Sequence, residues 1–201
     1  MEIAYAVILF ILLPFGVLFY YIINNSQKKK ELEKYYIDCD NINNLAKQKF
    51  SNDGYELTNI IYIKDHILTN KIILIDSKNK KLCLIDYITK NIIIINFDEL
   101  INYEIYENDN SMKTSGSISH SWFKPKYNSQ TDNICNSLKF IIRLKKIDTP
   151  QICYDIVYPT EFSSCSLSKS SPRYKECIES MQKAASTFEC IKNELQKTNQ
   201  Q

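Results

Sequence analysis

The stretch that decides the fold is KIILIDSKNKKLCLIDYITKNIIIINFDELINYEIYEND, Lys71–Asp109. Short β-branched runs, Ile72–Asp76, Leu82–Asp86 and Ile92–Phe97, alternate with the polar clusters Ser77-Lys78-Asn79-Lys80 and Thr89-Lys90-Asn91. Runs of this length bounded by turn-forming residues read as strands joined by tight turns. A near-repeat sharpens the reading: Leu74-Ile75-Asp76 through Lys80 recurs as Leu84-Ile85-Asp86 through Lys90. Solenoid repeats are longer, so this short period marks strand plus turn in an antiparallel meander.

Working outward, further strands are expected at Leu57–Ile63, Ile101–Glu107, Ser137–Leu144 and Gln151–Tyr158, with a weaker candidate around Gly116–Trp122. In Ile101–Glu107, Ile101, Tyr103 and Ile105 face one way and Asn102 and Glu104 the other, which predicts one wet face. Ile92-Ile93-Ile94-Ile95 is apolar on both faces and needs cover on two sides, since a bare apolar edge invites aggregation. The C-terminus offers a cover. After the loop Pro159–Pro172, Ser171 is placed to cap a helix with Pro172 in its first turn. Tyr174, Ile178, Met181, Ala185, Phe188 and Leu195 then recur at helical steps as one apolar stripe. The expected class is α+β, with a mainly antiparallel β domain over 55–197 and a C-terminal amphipathic helix over 172–197.

The N-terminus is read as a transmembrane anchor over residues 1–25. Ile3–Ile23 carries no charge, and a helix of that length spans about 30 Å, the thickness of a bilayer's hydrocarbon core. Tyr5, Tyr20 and Tyr21 sit near its ends, and Pro14 and Gly16 are tolerated within membrane helices. A cleaved signal peptide is disfavoured by Glu2 in the leading segment and by Asn24-Asn25-Ser26-Gln27 where a small-residue cleavage site belongs. Lys28, Lys29, Lys30 and Lys34 crowd one flank, which predicts a single-pass protein of the cell membrane with its C-terminal domain cytoplasmic. Residues 26–54 read as a polar juxtamembrane stalk.

Composition excludes more than it assigns. With 25 Lys+Arg against 23 Asp+Glu the formal charge is +2, so no global field draws the chain to nucleic acid. Seven scattered cysteines with no C-x-x-C pair indicate neither a disulfide framework nor a zinc site. Of the two histidines, His66 and His120 each stand among polar neighbours and read as turn or surface residues. Nucleophile elbows, phosphate-binding loops and dinucleotide fingerprints are missing, and three glycines hardly build a phosphate cradle. No catalytic residue, metal ligand, cofactor or small-molecule substrate is expected.

Two features suit binding. Lys139 and Arg143 on the strand Ser137–Leu144, with Lys145 just beyond, share one face at the two-residue period and form a basic strip. The only tryptophan, Trp122, and Phe123 lie beside Lys124 and Lys126 in a loop, a composition that suits a protein or headgroup interface. The plainer identities are a solvated sheet face for the strip and a hydrophobic plug for the loop.

The run Lys71–Asp109, with a later strand and terminal helix, resembles a group of small, uncharacterised, membrane-anchored PH-like proteins of low-GC bacteria and their mobile elements. The likeness rests on Asp-x-x-Asn-Lys turns and on Asp98-Glu99-Leu100-Ile101 leading into Tyr103-Glu104. It implies a PH-like, partly open barrel and carries over no functional residue. The expected function is a membrane-tethered binding or scaffold module with a protein partner. The alternatives are an enzyme whose site is assembled from residues far apart in sequence, and a peripheral module for anionic lipid.

Overall fold

A computed structural model describes residues 2–67, 69–108, 110–114, 133–158 and 166–198, with side chains of the N-terminal helix from Val17 onward. The chain is α+β, built from antiparallel sheets and a C-terminal helix. Its contacts divide it into two units, Met1–Asp38 and Cys39–Gln201. The first is entirely the beginning of helix α1, which runs Glu2–Asn52.

That helix overturns the membrane expectation. Among the described residues, no helix is long and apolar enough to cross a membrane. The apolar run does not end as a helix of its own. The helix continues unbroken through Asn24–Gln27 and three consecutive lysines. The transmembrane helix in the expected fold class is withdrawn. With it go the single-pass integral attachment, the cell-membrane placement and the cytoplasmic orientation read from the flanking lysines.

In the second unit, β1 (Asn59–Lys64), β2 (Asn70–Asp76), β3 (Lys81–Asp86) and β4 (Asn91–Asn96) form an antiparallel sheet in sequence order. The ten-residue repeat has a direct structural basis. Asp76 accepts hydrogen bonds from the Asn79 N–H and side-chain amide at 2.9 and 2.6 Å. One period later, Asp86 accepts from the Ile88 N–H and the Thr89 hydroxyl at 3.0 and 2.7 Å. Each turn closes on a lysine with positive φ, Lys80 at 55° and Lys90 at 57°. The carboxylates thus stand in for backbone partners that a tight turn cannot supply.

A single 3-10 turn, Phe97–Glu99, carries the chain round a corner, with the Glu99 carboxylate accepting from the Asn96 N–H at 2.7 Å. The second sheet has the order β6-β5-β8-β9: β5 (Leu100–Glu107) pairs with both β6 (Asn110–Thr114) and β8 (Leu138–Leu144), and β9 (Gln151–Val157) closes the edge. A two-stranded ribbon joins β7 (Ile134–Cys135) to β10 (Leu167–Ser168), which falls where only loop is expected from sequence. Helix α2 spans Pro172–Thr198. Its cap is as expected, for the Ser171 hydroxyl accepts from the Tyr174 N–H at 3.2 Å.

Two apolar clusters follow from the two faces of the first sheet. Ile61, Ile63, Ile73, Leu82, Leu84 and Ile95 point at the inner face of the second sheet and at the α2 stripe Ile178, Met181, Ala185 and Phe188. Ile72, Leu74, Cys83 and Ile85 point the other way and are covered by Ile42, Ala46 and Phe50 of α1, with Ile92 and Ile94 packed at the margin. The double-sided cover demanded by the isoleucine run is therefore met, by α1 on one side and by the cluster of the second sheet and α2 on the other. Part of what reads as stalk supplies one of them, because Ile42, Ala46 and Phe50 recur at four-residue steps amid polar neighbours. The compact unit starts at Cys39, inside that stretch. The weaker strand candidate at Gly116–Trp122 lies outside the described residues.

Candidate binding groove

Strand β1 ends the first sheet, so one row of its backbone groups has no strand beside it. Two hydrogen bonds identify which row. The Ile72 N–H is taken by the Tyr87 hydroxyl at 2.7 Å, so on β2 residues 71, 73 and 75 turn their backbone groups toward β1. In the antiparallel register their partners are Ile63, Ile61 and Asn59. Ile60, Tyr62 and Lys64 therefore direct their N–H and C=O groups away from the sheet. The Lys64 N–H confirms the parity by donating to Ser180 Oγ of α2 at 3.1 Å. No partner to the outward groups of Ile60 or Tyr62 is found among the described residues.

The space beyond this edge is a groove of about 390 Å³, walled on one side by Asn59–Tyr62 and Lys64 and on the other by Glu176, Glu179, Ser180, Lys183 and Thr187 of α2. These helix residues recur at three- and four-residue steps and form a polar stripe next to the buried one. Lys64 closes one end through an ion pair with Glu176 at 3.1 Å, both side chains near half exposed. Tyr62 stands 48% exposed on the outer side of the strand.

The opposite edge of the same sheet is occupied. On β4 the carbonyls of Ile92 and Ile94 face outward. Lys49 of α1 donates to the first at 3.3 Å and Lys146, after β8, to the second at 3.2 Å. Lysines set along an edge strand block the addition of another strand.

A buried polar cluster lies where β2 and β3 part beyond the Leu74–Cys83 pair. Each N–H freed by the parting meets a tyrosine hydroxyl, Ile72 that of Tyr87 and Ile85 that of Tyr154 at 3.3 Å. Asn43 of α1 accepts from the Tyr87 hydroxyl at 2.6 Å and donates to the Asn70 carbonyl at 2.8 Å. Lys71, only 4% exposed, donates to the Asp155 carbonyl and lies 5.8 and 5.4 Å from the ring centres of Tyr87 and Tyr158. Burial lowers its pKa from the ordinary lysine value, against the pull of Asp65 and Asp155. His66 is not the surface residue expected from sequence. It is 3% exposed, its Nδ1 sits 2.9 Å from the Ile156 carbonyl and burial lowers its pKa. Nδ1 is thus the protonated nitrogen of a neutral ring. The cluster satisfies split strands, and among the described residues no group of His, Cys, Asp and Glu is arranged to hold a metal.

The structure separates the residues of the expected basic strip. Lys139 and Arg143 do share the outer face of β8, but Glu104 and Asp155 share it too. Arg143 forms a two-pronged contact with Glu104 at 2.9 and 3.0 Å, which holds the Glu104 carboxyl below its ordinary pKa. Lys145 has left the strand, its N–H donating to the Glu99 carbonyl at 2.8 Å. The face is mixed in sign. Trp122, Phe123, Lys124 and Lys126 lie outside the described residues, as does His120.

Sequence reading missed the groove. The stripe Glu176, Glu179, Lys183 and Thr187 is visible in the sequence, but a polar helix face reads as solvated until a strand edge is known to lie beside it. Compared with known proteins, the chain matches no family model, no curated protein and no solved structure.

Proposed function

We propose that the domain is a protein-binding module that takes up an extended peptide segment as an added strand on β1, in the groove beside α2. The observation that carries the reading is the unpaired outward row at Ile60 and Tyr62, facing a groove, on a sheet whose other edge is blocked by lysines. Strand addition draws affinity from main-chain hydrogen bonds and specificity from side-chain positions beside the edge. A groove of about 390 Å³ lies at the small end of ligand sites, a size that suits a short segment of chain.

The test uses proline as a donor knockout. Because the Tyr62 N–H points away from β2, Tyr62→Pro deletes the outward donor and spares the ladder, the one placement that edge strands tolerate. Random peptides displayed on phage would be selected on the wild-type protein and re-tested on the variant. Binders lost on Tyr62→Pro, with a thermal midpoint within a few degrees of wild type, support strand addition. Binders indifferent to the substitution, or binders that leave the Ile60 and Tyr62 amides unprotected in hydrogen exchange, overturn it.

A further inference from the structure

The groove beside β1 is blocked at one end. The outward N–H of Lys64 donates to Ser180 Oγ at 3.1 Å, so a hydroxyl of α2 sits where the carbonyl of a neighbouring strand would accept. An added strand lies about 4.8 Å from the one it joins, and at this level that space belongs to the helix. The Lys64 ammonium, paired with Glu176 at 3.1 Å, bars the same end. Further back, among the described residues, no hydrogen bond or ion pair joins α2 to Asn59, Ile60, Ile61 or Tyr62, although all four line the groove. A guest bonded to Ile60 and Tyr62 meets no such contact toward Asn59 but has to stop short of Lys64. The end of a chain satisfies that condition, whereas the middle of one would have to turn sharply off the sheet.

Direction decides which end. Every described strand pair in the domain is antiparallel, and antiparallel pairing is slightly the more stable per residue. Since β1 runs from Asn59 to Lys64, an antiparallel guest begins at the blocked end and carries its α-ammonium there.

The helix wall agrees in charge. Burial chiefly lowers the pKa of His66, and the charge of Arg173 near the start of α2 adds to it; His66 lies two residues past Lys64, so the helix arrives from beyond the block. Ser180 is level with Lys64. Glu179 precedes it by one residue and Glu176 by about one turn, which puts both carboxylates at or beyond the block, while Lys183 lies about 4.5 Å further along the helix. Glu176 is answered by Lys64. Glu179 is exposed and has no ion-pair partner among the described residues, which leaves one carboxylate for an incoming ammonium. A parallel guest would bring its terminal carboxylate against Glu179 instead.

We infer that the groove captures the free N-terminus of its partner, with the first residue opposite Ile63 or Tyr62, the ammonium held by Glu179 and the following residues added as an antiparallel strand. This rests on the strand-addition reading and names the end and the direction of the segment.

Random octapeptides displayed in two libraries, one with a free N-terminus and one with a free C-terminus, are selected on the wild-type protein and re-tested on Tyr62→Pro. Binders that need the Tyr62 donor are expected from the free-N-terminus library. Made as synthetic peptides, they should lose binding when a glycine-serine tail precedes the first residue and keep it when the same tail follows the last. Acetylation of the N-terminus should weaken them about fivefold, the scale of one exposed ion pair, and Glu179→Gln should remove most of that difference. Tyr62-dependent binders that tolerate the leading tail, or that come only from the free-C-terminus library, overturn N-terminal capture and leave strand addition standing. An acetylation effect undiminished in Glu179→Gln overturns the part assigned to that carboxylate. With no Tyr62-dependent binder from either library, strand addition falls and N-terminal capture with it.

Discussion

The two edges of the first sheet are made of similar residues and meet opposite fates. Asn91–Asn96 is the more apolar strand, yet its outward carbonyls at Ile92 and Ile94 are held by Lys49 and Lys146. Asn59–Lys64 keeps its outward groups at Ile60 and Tyr62 open toward a groove, with only Lys64 tied down by Ser180. An exposed apolar edge is an aggregation hazard that folds manage with charge or cover. Here the more dangerous strand is closed by two side chains from distant parts of the chain. The milder one is left accessible beneath a helix whose overhang limits what can approach.

The strongest way to break this comparison is to test the backbone parity on which it rests. Ile61→Pro removes a donor aimed at β2 as well as a buried side chain, and should cost about 3 kcal/mol or more in urea unfolding. Tyr62→Pro, one residue away, should cost far less. Comparable losses at both positions would mean that the open row has been assigned to the wrong residues.

A second test acts where β1 begins. The buried Asp76 carboxylate accepts from the Glu56 N–H at 2.8 Å as well as from Asn79. Hydrogen bonds to the backbone and side chain of Asn79 and to the backbone at Glu56 hold its pKa below the ordinary value, against the opposing effect of burial. Asp76→Ala should cost about 1–3 kcal/mol, since it strands donors inside the protein. The sign of the pH dependence comes from linkage. A folded-state pKa below the unfolded value of 3.8 gives stability that is complete above 3.8 and lost as pH falls through the lower folded value. In acid titrations of unfolding free energy, the difference between wild type and variant should therefore narrow below pH 3.8. A difference that persists unchanged there would assign the role to packing instead.

Opening the blocked edge is the third. The double variant of Lys49→Ala and Lys146→Ala should change stability by no more than about 1 kcal/mol, since both contacts are at or near the surface. It should however promote self-association, measured by sedimentation velocity at increasing concentration, because β4 then presents free carbonyls. A variant as monodisperse as wild type would show that the lysines are not what closes that edge.

The smallest effect is a control away from both edges. Lys80→Gly and Lys90→Gly relieve a side chain in the left-handed region at φ 55° and 57°, offset in part by glycine's unfolded-state entropy. Each should stabilise by about 0.5 kcal/mol in chemical unfolding and leave peptide binding unchanged.

Much of the second unit was legible in the sequence, and for local reasons. The strands around the ten-residue repeat needed only alternation and turn chemistry, since the bonds by which Asp76 and Asp86 close their turns reach no further than three residues. The C-terminal helix was equally readable, because cap and apolar stripe sit on one segment. The cover provided by Ile42, Ala46 and Phe50 was not, for three apolar residues among Asn and Lys mark no stripe until an apolar sheet face is set against them. Nor was the fate of Ile3–Ile23. An apolar run read alone resembles a complete helix, whereas the end of a helix is set by the residues beyond the run, and here helix formation continues through Asn24–Lys30 without a breaker.

His66 and the groove mark the division most clearly. A histidine among Asp65, Ile67 and Thr69 gives no sign of burial, and only the approach of β9 brings the Ile156 carbonyl to its ring. The sequence by itself determined where strands, turns and the last helix form, because those depend on periodicity and on side chains bonding their own neighbours. Only the tertiary structure decided which strand edges stay open. An edge is defined by the strand that is not beside it, and whether Lys49, Lys146 or Ser180 arrives to take its place depends on chain segments tens of residues away.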